Sequence, residues 1–180
     1  MSRGNTFRRL VGHAPSGLER IVRTVTEFIK GGAIRRRLSR EYEPYIRQAA
    51  KDEFQERLMR AIVFEEEVRE FPPFIKSRLE SAGFGDSVGP AQIRVSLWAA
   101  RYGTTRLELL DPRKHFQTMR KHLDKLERDA AERGMGRTIE DLASLWNDGG
   151  ARRVTIYGSR VGEFDRKLRA GCPTAAPAQP

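Results

Sequence analysis

Apolar residues along this chain recur at intervals of three and four, and no stretch sustains the alternation of a strand. Leu18, Ile21, Val22, Val25, Phe28 and Ile29 trace one face of an amphipathic helix, with Ser16 placed to cap it and Gly31-Gly32 to end it. After a basic segment around Arg35-Arg36-Arg37 and an interruption at Pro44, a second helix is predicted from about Tyr45 to Glu67. It runs through Ile46, Ala49, Phe54, Leu58, Ala61 and Ile62, and Pro72-Pro73 stops it. Phe74 to Leu79 allows at most a short helix before Gly83 and Gly85. Pro90 sits where a first-turn proline opens a helix running to about Tyr102. Another opens near Pro112 and carries Phe116, Met119, Leu123, Leu126 and Ala130 on one face. Thr138 and Asp141 have capping spacing for a helix to Trp146, and Asn147-Asp148-Gly149-Gly150 is turn chemistry. The last helix shows Val154, Tyr157, Val161, Phe164 and Leu168, followed by a Pro/Ala-rich segment, Pro173 to Pro180, predicted to be disordered. The sum is an all-α fold of about seven helices. Leu58, Ile62, Leu97, Leu123, Leu142, Val161 and Phe164 are expected to be buried.

Charge divides this helical chain into unequal parts. It carries 34 Lys plus Arg against 24 Asp plus Glu, a formal net charge of +10 over 180 residues. Residues 1–50 hold a net +7 of that excess. The expected organisation is a basic helical extension over 1–50, a helical domain over 51–168 and a disordered tail over 169–180. Such a basic segment is attracted to polyanions, among them nucleic acid, acidic lipid surfaces and the bacterial cell wall. The single cysteine, Cys172, excludes a disulfide scaffold and a cysteine-based zinc site. No run approaches the roughly 18 apolar residues that a spanning helix needs. The first ten residues are basic, but no hydrophobic region of a secretory signal follows them.

Few constellations on this chain offer chemistry. His13, His115 and His122 are scattered, and His115 and His122 read as ordinary surface or flanking residues, since no carboxylate and cysteine combination completes a metal or triad pattern. Neither Gly83-Phe84-Gly85 nor Gly134-Met135-Gly136 continues into a phosphate-binding fingerprint. The informative cluster is Glu65-Glu66-Glu67 at the end of the second long helix. Glu66 lies four residues after Ile62 and eight after Leu58, so it continues the apolar face, while Glu67 is expected to lean toward solvent. A carboxylate on an apolar stripe is pushed toward its protonated form, the state a general acid needs. A solvated helix end is the competing reading.

Three later segments bear on that choice. Ser87-Val88-Gly89-Pro90-Ala91-Gln92-Ile93 couples a glycine turn to a glutamine. Ala143-Ser144-Leu145-Trp146-Asn147-Asp148-Gly149-Gly150 ends a helix in an aromatic-Asn-Gly turn, and Ile156-Tyr157-Gly158-Ser159-Arg160-Val161 follows it. In this order, across about residues 58–168, the set resembles the lysozyme-like lytic transglycosylases, which cleave the glycan strand of bacterial peptidoglycan. The resemblance implies that one Glu protonates the glycosidic oxygen and then removes a proton from the muramyl 6-hydroxyl, giving a 1,6-anhydro product. It ranks Glu66 first as that acid, Glu67 second and Glu65 third. It gives Ser87 a hydrogen bond to the muramyl N-acetyl group or to the Glu, Gln92 a bracing role on loop and sugar, and Tyr157 a donor role toward the Glu. Asn147 and Trp146 would line the sugar subsites, although the helical spacing of Trp146 after Leu142 reads more readily as core. Each of these side chains also has an ordinary structural reading: turn cap for Ser87, surface helix residue for Gln92, core for Tyr157.

Departures from the family pattern are a Glu directly after Glu66 where the family places Ser, a longer connection over Phe71 to Ser81, and Trp146 where Tyr is commoner. Asp86, next to Ser87, keeps a hydrolytic muramidase open, because a second carboxylate could position water. A monomer that needs neither cofactor nor metal is expected, acting on peptidoglycan after export by a holin, by lysis or by a secretion machine. The alternative class is a basic helical protein that binds nucleic acid or an anionic surface without catalysis.

Overall fold

The computed structural model describes residues 31–69, 80, 82–83 and 85–170. The helices expected over Leu18–Ile29 and Phe74–Leu79, and the disorder expected over Pro173–Pro180, lie outside the described residues.

The described chain is mostly helical. A helical run over 31–37 passes through a π-helical turn, Leu38–Tyr42, into α1, Glu43–Ala49. Helix α2, Glu53–Arg69, follows. A two-stranded antiparallel hairpin, β1 (Ser87–Val88) and β2 (Ile93–Arg94), leads into a second π-helical turn, Val95–Ala99, and a short α3, Ala100–Tyr102. Then come α4 (Arg106–Leu110), α5 (Pro112–Glu132), α6 (Ile139–Asn147) and α7 (Ile156–Ala170).

Helix α2 is the axis of the packing. From Ala61 to Val68 every one of its residues is buried, because α1, α5, α6 and α7 all lean on it. Leu58 and Ile62 are fully buried, and Phe64 meets Phe164 of α7 with ring centroids 4.6 Å apart. Among the described helices, α6 and α7 share the most extensive contact. A Cβ at Gly158 would fall 2.1 Å from Ser144 Oγ and 2.3 Å from the Glu140 carbonyl oxygen, so only glycine allows that approach. Ile34, Leu38, Tyr42, Ile46 and Ala49, all N-terminal to residue 50, are buried in the same core.

Several sequence expectations are corrected. The helix drawn from Tyr45 to Glu67 is two helices, because Asp52 caps the second: its Oδ1 accepts from the Gln55 amide at 2.8 Å, while Ala50 is extended. The helix drawn from Pro90 begins only at Val95. Pro90 lies instead in the hairpin turn, where Gln92 N donates to Gly89 O at 3.1 Å. The late start moves Leu97 out of the core, and it is 50 % exposed. Val154 is exposed as well, because α7 starts at Ile156. Helix α4 was not foreseen, and residues 169 and 170, expected in a disordered tail, belong to α7. The other expected core residues, Leu123, Leu142, Val161 and Phe164, are buried.

Candidate active site

Helix α2 carries Glu66 inward on the stripe begun by Leu58 and Ile62. From the first turn of α7, Tyr157 Oη donates to Glu66 Oε1 at 2.7 Å, joining residues 91 positions apart. Gly158 makes this contact possible, since α7 must lie against α6 for the phenol to reach α2. Burial, and next the charge of Glu66, push the Tyr157 phenol well above its ordinary pKa. It therefore keeps its proton and remains a donor. The two neighbouring carboxylates point elsewhere. Glu67 is buried rather than solvated, because the run over 31–37 lies across it and Arg37 donates to its Oε2 at 3.0 Å. Glu65 is 1 % exposed, with Arg160 at 3.7 Å and Arg69 at 4.0 Å.

Glu66 lines a cavity of about 290 Å³ that is also walled by Gln92, Trp146 and Asn147. Gln92 reaches it from the hairpin turn, where its own φ is +51° and that of Gly89 is +73°. Its side-chain amide donates to Glu80 Oε1 at 3.0 Å and to Gly89 O at 2.9 Å, while Glu80 Oε1 also accepts from Gly89 N at 3.2 Å. Both amide N–H groups thus tie the loop, and the amide carbonyl is the group left to face a ligand. Ser87 pairs with Arg94 in the hairpin and takes no part in the lining. Asp86 is not in the lining either. It accepts from Ser96 N at 2.8 Å and Ser96 Oγ at 2.6 Å, which anchors the start of the π-helical turn. Partial burial acts to raise the Asp86 pKa, but the bonds from Ser96 and the charge of Arg94 outweigh it and hold the carboxyl below its usual value.

The cavity wall beyond Trp146 is aromatic. The His122 ring stacks on Trp98 with centroids 3.8 Å apart, Trp98 meets Trp146 edge-on at 4.5 Å, and Tyr102 Oη lies 2.9 Å from His122 Nδ1. Burial, followed by the nearby charges of Arg101 and Lys125, lowers the His122 pKa to about 3, so this ring is neutral at physiological pH. The expectation that His115 and His122 are surface or flanking residues is thereby corrected, since both are buried. The i, i+7 spacing puts both on the inward face of α5. His115 Nε2 accepts from Ala91 N at 3.2 Å, so its Nδ1 carries the proton, given to Leu109 O at 3.1 Å. His115 thus pins the hairpin turn to α4.

The structure brings together Glu66, Gln92, Trp146 and Asn147, with Tyr157 bonded behind Glu66, and leaves Ser87 and Glu67 outside. No family model, curated protein or solved structure matches this chain.

Sequence reasoning missed Trp98, His122 and Glu80. Trp98 and His122 belong to different helical segments, and only tertiary packing joins them. Glu80 stands in a segment with no periodic signal, so nothing in the sequence tied it to Gln92 twelve residues later.

Proposed function

We propose that this protein is a lysozyme-like enzyme that cleaves the glycan strand of peptidoglycan at the muramyl-glucosaminyl bond, with Glu66 as acid and then base. The observation that carries this reading is the buried Tyr157–Glu66 hydrogen bond at the edge of the cavity. A general acid must be held in one rotamer within reach of the leaving oxygen, and the phenol supplies that restraint. In the first step Glu66 gives its proton to the glycosidic oxygen as the bond from that oxygen to the muramyl C1 breaks. In the second the Glu66 carboxylate takes the proton of the muramyl C6 hydroxyl while O6 bonds to C1. The products are a glycan with a new free 4-hydroxyl and a 1,6-anhydromuramyl end, and the acid is regenerated. Gln92 and Asn147 would hold the sugars by hydrogen bonds and the Trp146 edge would wall them. The only other carboxylate in the cavity lining among the described residues is Asp129, engaged by Lys125, which favours substrate-assisted closure over a second catalytic acid.

Mass spectrometry of sacculi treated with the purified protein tests the reading, since anhydro and reducing-end products differ by one water. Anhydromuropeptides are expected from the wild type and none from Glu66→Gln. Tyr157→Phe should lower kcat/KM by up to about tenfold, the value of one uncharged hydrogen bond. Release of no soluble fragments, together with a salt-dependent shift of DNA that Glu66→Gln leaves unchanged, would replace this reading by that of a basic binding protein.

A further inference from the structure

Glu65 is a buried ionisable group with no part in the proposed reaction. It is 1 % exposed and does not line the cavity. Its Oε1 lies 3.7 Å from Arg160 of α7 and 4.0 Å from Arg69 at the end of α2, and two guanidinium groups at that range favour the ionised carboxylate. The charge of Glu65 reaches the centre through Tyr157. That phenol is pushed up first by burial, then by the charge and hydrogen bond of Glu66, and then by the charge of Glu65, while Arg69, 5.7 Å from the ring centroid, acts in the opposite sense. Glu65, Tyr157 and Glu66 therefore share one poorly solvated compartment, where an ionised carboxylate opposes the ionisation of a second. The other charges around Glu66 pull the opposite way. Among the described residues, Arg94, Arg101, Lys125 and Arg133 face it across the cavity against Asp129, His122 is neutral, and Glu67 is paired with Arg37 of the run over 31–37. That excess of cations, like the bond from the phenol, favours the Glu66 carboxylate over the acid. A general acid working near neutral pH needs a buried anion as counterweight, and Glu65 is placed to be one.

We propose that Glu65 is a positioning residue that acts through Glu66: its buried charge, moderated by Arg160, holds Glu66 in the protonated form that the first step of cleavage consumes. The inference rests on the reading of Glu66 as the acid and adds to it the group that keeps its proton in place. Glu65 itself gives no proton and touches no substrate.

The test reads Glu66 directly. In the full chain, carboxyl-carbon NMR follows the Glu66 side chain through a pH titration, with its signal assigned by its loss in Glu66→Gln. Glu65→Gln should lower the Glu66 midpoint by about one pH unit, the low end of the effect of a nearby charge. Arg160→Gln should raise it by a similar amount, and Arg160→Lys, which keeps the charge, should leave it near the wild-type position. Loosened packing alone would move both neutral variants the same way, toward the midpoint of a solvated carboxyl, so opposite shifts separate charge from structure. Shifts of the same sign, or no shift in either variant, overturn the inference. If Glu65→Gln does not fold, Arg160→Gln against Arg160→Lys decides: a midpoint raised only in the first upholds the inference, and equal midpoints overturn it. The pH profile of kcat/KM for muropeptide release supplies the link to the reaction, because its alkaline limb should move with the Glu66 midpoint. A limb that stays in place while the midpoint moves overturns the role of Glu66 as acid and that of Glu65 with it. Shifted midpoints with no muropeptide release at any pH would remove the glycan cleavage and leave the coupling of Glu65 to Glu66 standing.

Discussion

Gly158→Ala sets two effects of opposite sign against each other. Alanine is the better helix former, and at an early position of α7 that preference is worth at most about 1 kcal/mol of added stability. The new Cβ, however, would stand 2.3 Å from the Glu140 carbonyl oxygen, a backbone atom that cannot rotate away. It would also stand 2.1 Å from Ser144 Oγ, which donates to Glu140 O at 2.7 Å and accepts from Thr155 N at 2.8 Å. Turning that hydroxyl aside sacrifices two bonds of about 1 kcal/mol each, and forcing the helices apart costs a further ~1–3 kcal/mol. The clash wins, with a net destabilisation of about 2–4 kcal/mol and a drop in Tm of roughly 4–16 °C. The retreat of α7 by about 1 Å, the distance needed to restore ordinary contact, also carries Tyr157 beyond hydrogen-bond range of Glu66, which it now meets at 2.7 Å. Urea unfolding and muropeptide release measured on the same preparation check both parts. A variant as stable as the wild type, with undiminished activity, would refute the claim that this glycine sets the distance between α7 and the site.

Gly89→Ala should be more damaging still, because the residue has φ +73° and its Cβ would lie 2.4 Å from His115 Nδ1. Strain and overlap together cost roughly 3–5 kcal/mol, readable as a fall in the urea midpoint. His122 predicts an acid-side loss of stability. Its folded pKa is depressed to about 3 from the ordinary imidazole value of 6.5, so the unfolded chain binds a proton that the folded chain refuses. That contribution is complete above pH 6.5 and is lost as pH falls from there toward 3, by about 1 kcal/mol per pH unit. His122→Gln should flatten the decline between pH 6.5 and 4.5 relative to the wild type, and an unchanged slope would show that the ring is not shielded from protons.

What the sequence made legible follows from how local each signal is. The long apolar stripes of α5 and α7, the Thr138 cap and the Asn147 turn are written within a few residues, and the observed helices lie there, with α7 starting two residues later and ending two residues beyond the span drawn for it. The position of Glu66 on the Leu58–Ile62 stripe is equally local. Pro90 misled because a first helical turn and the second position of a β-turn ask for the same φ, so the residue does not choose between them. A Thr105-x-x-Glu108 capping box opens α4, but five residues are too few to show a period. Asp52 lies inside the span drawn as one helix, and its side chain caps the start of the second. The burial of Glu67 and the depth of His122 depend on partners at Arg37 and Trp98, and no window of sequence contains both members of either pair.

The bond between Tyr157 and Glu66 also fixes when the site can exist. The ribosome delivers α2 before α7, and a chain interrupted between residues 66 and 157 has Glu66 but not the group that holds it. The same late helix brings Asp165, which receives Arg57 of α2 in a two-pronged pair at 2.9 and 2.6 Å. A product that stops between Glu66 and Tyr157 therefore lacks the bond that holds Glu66 in place.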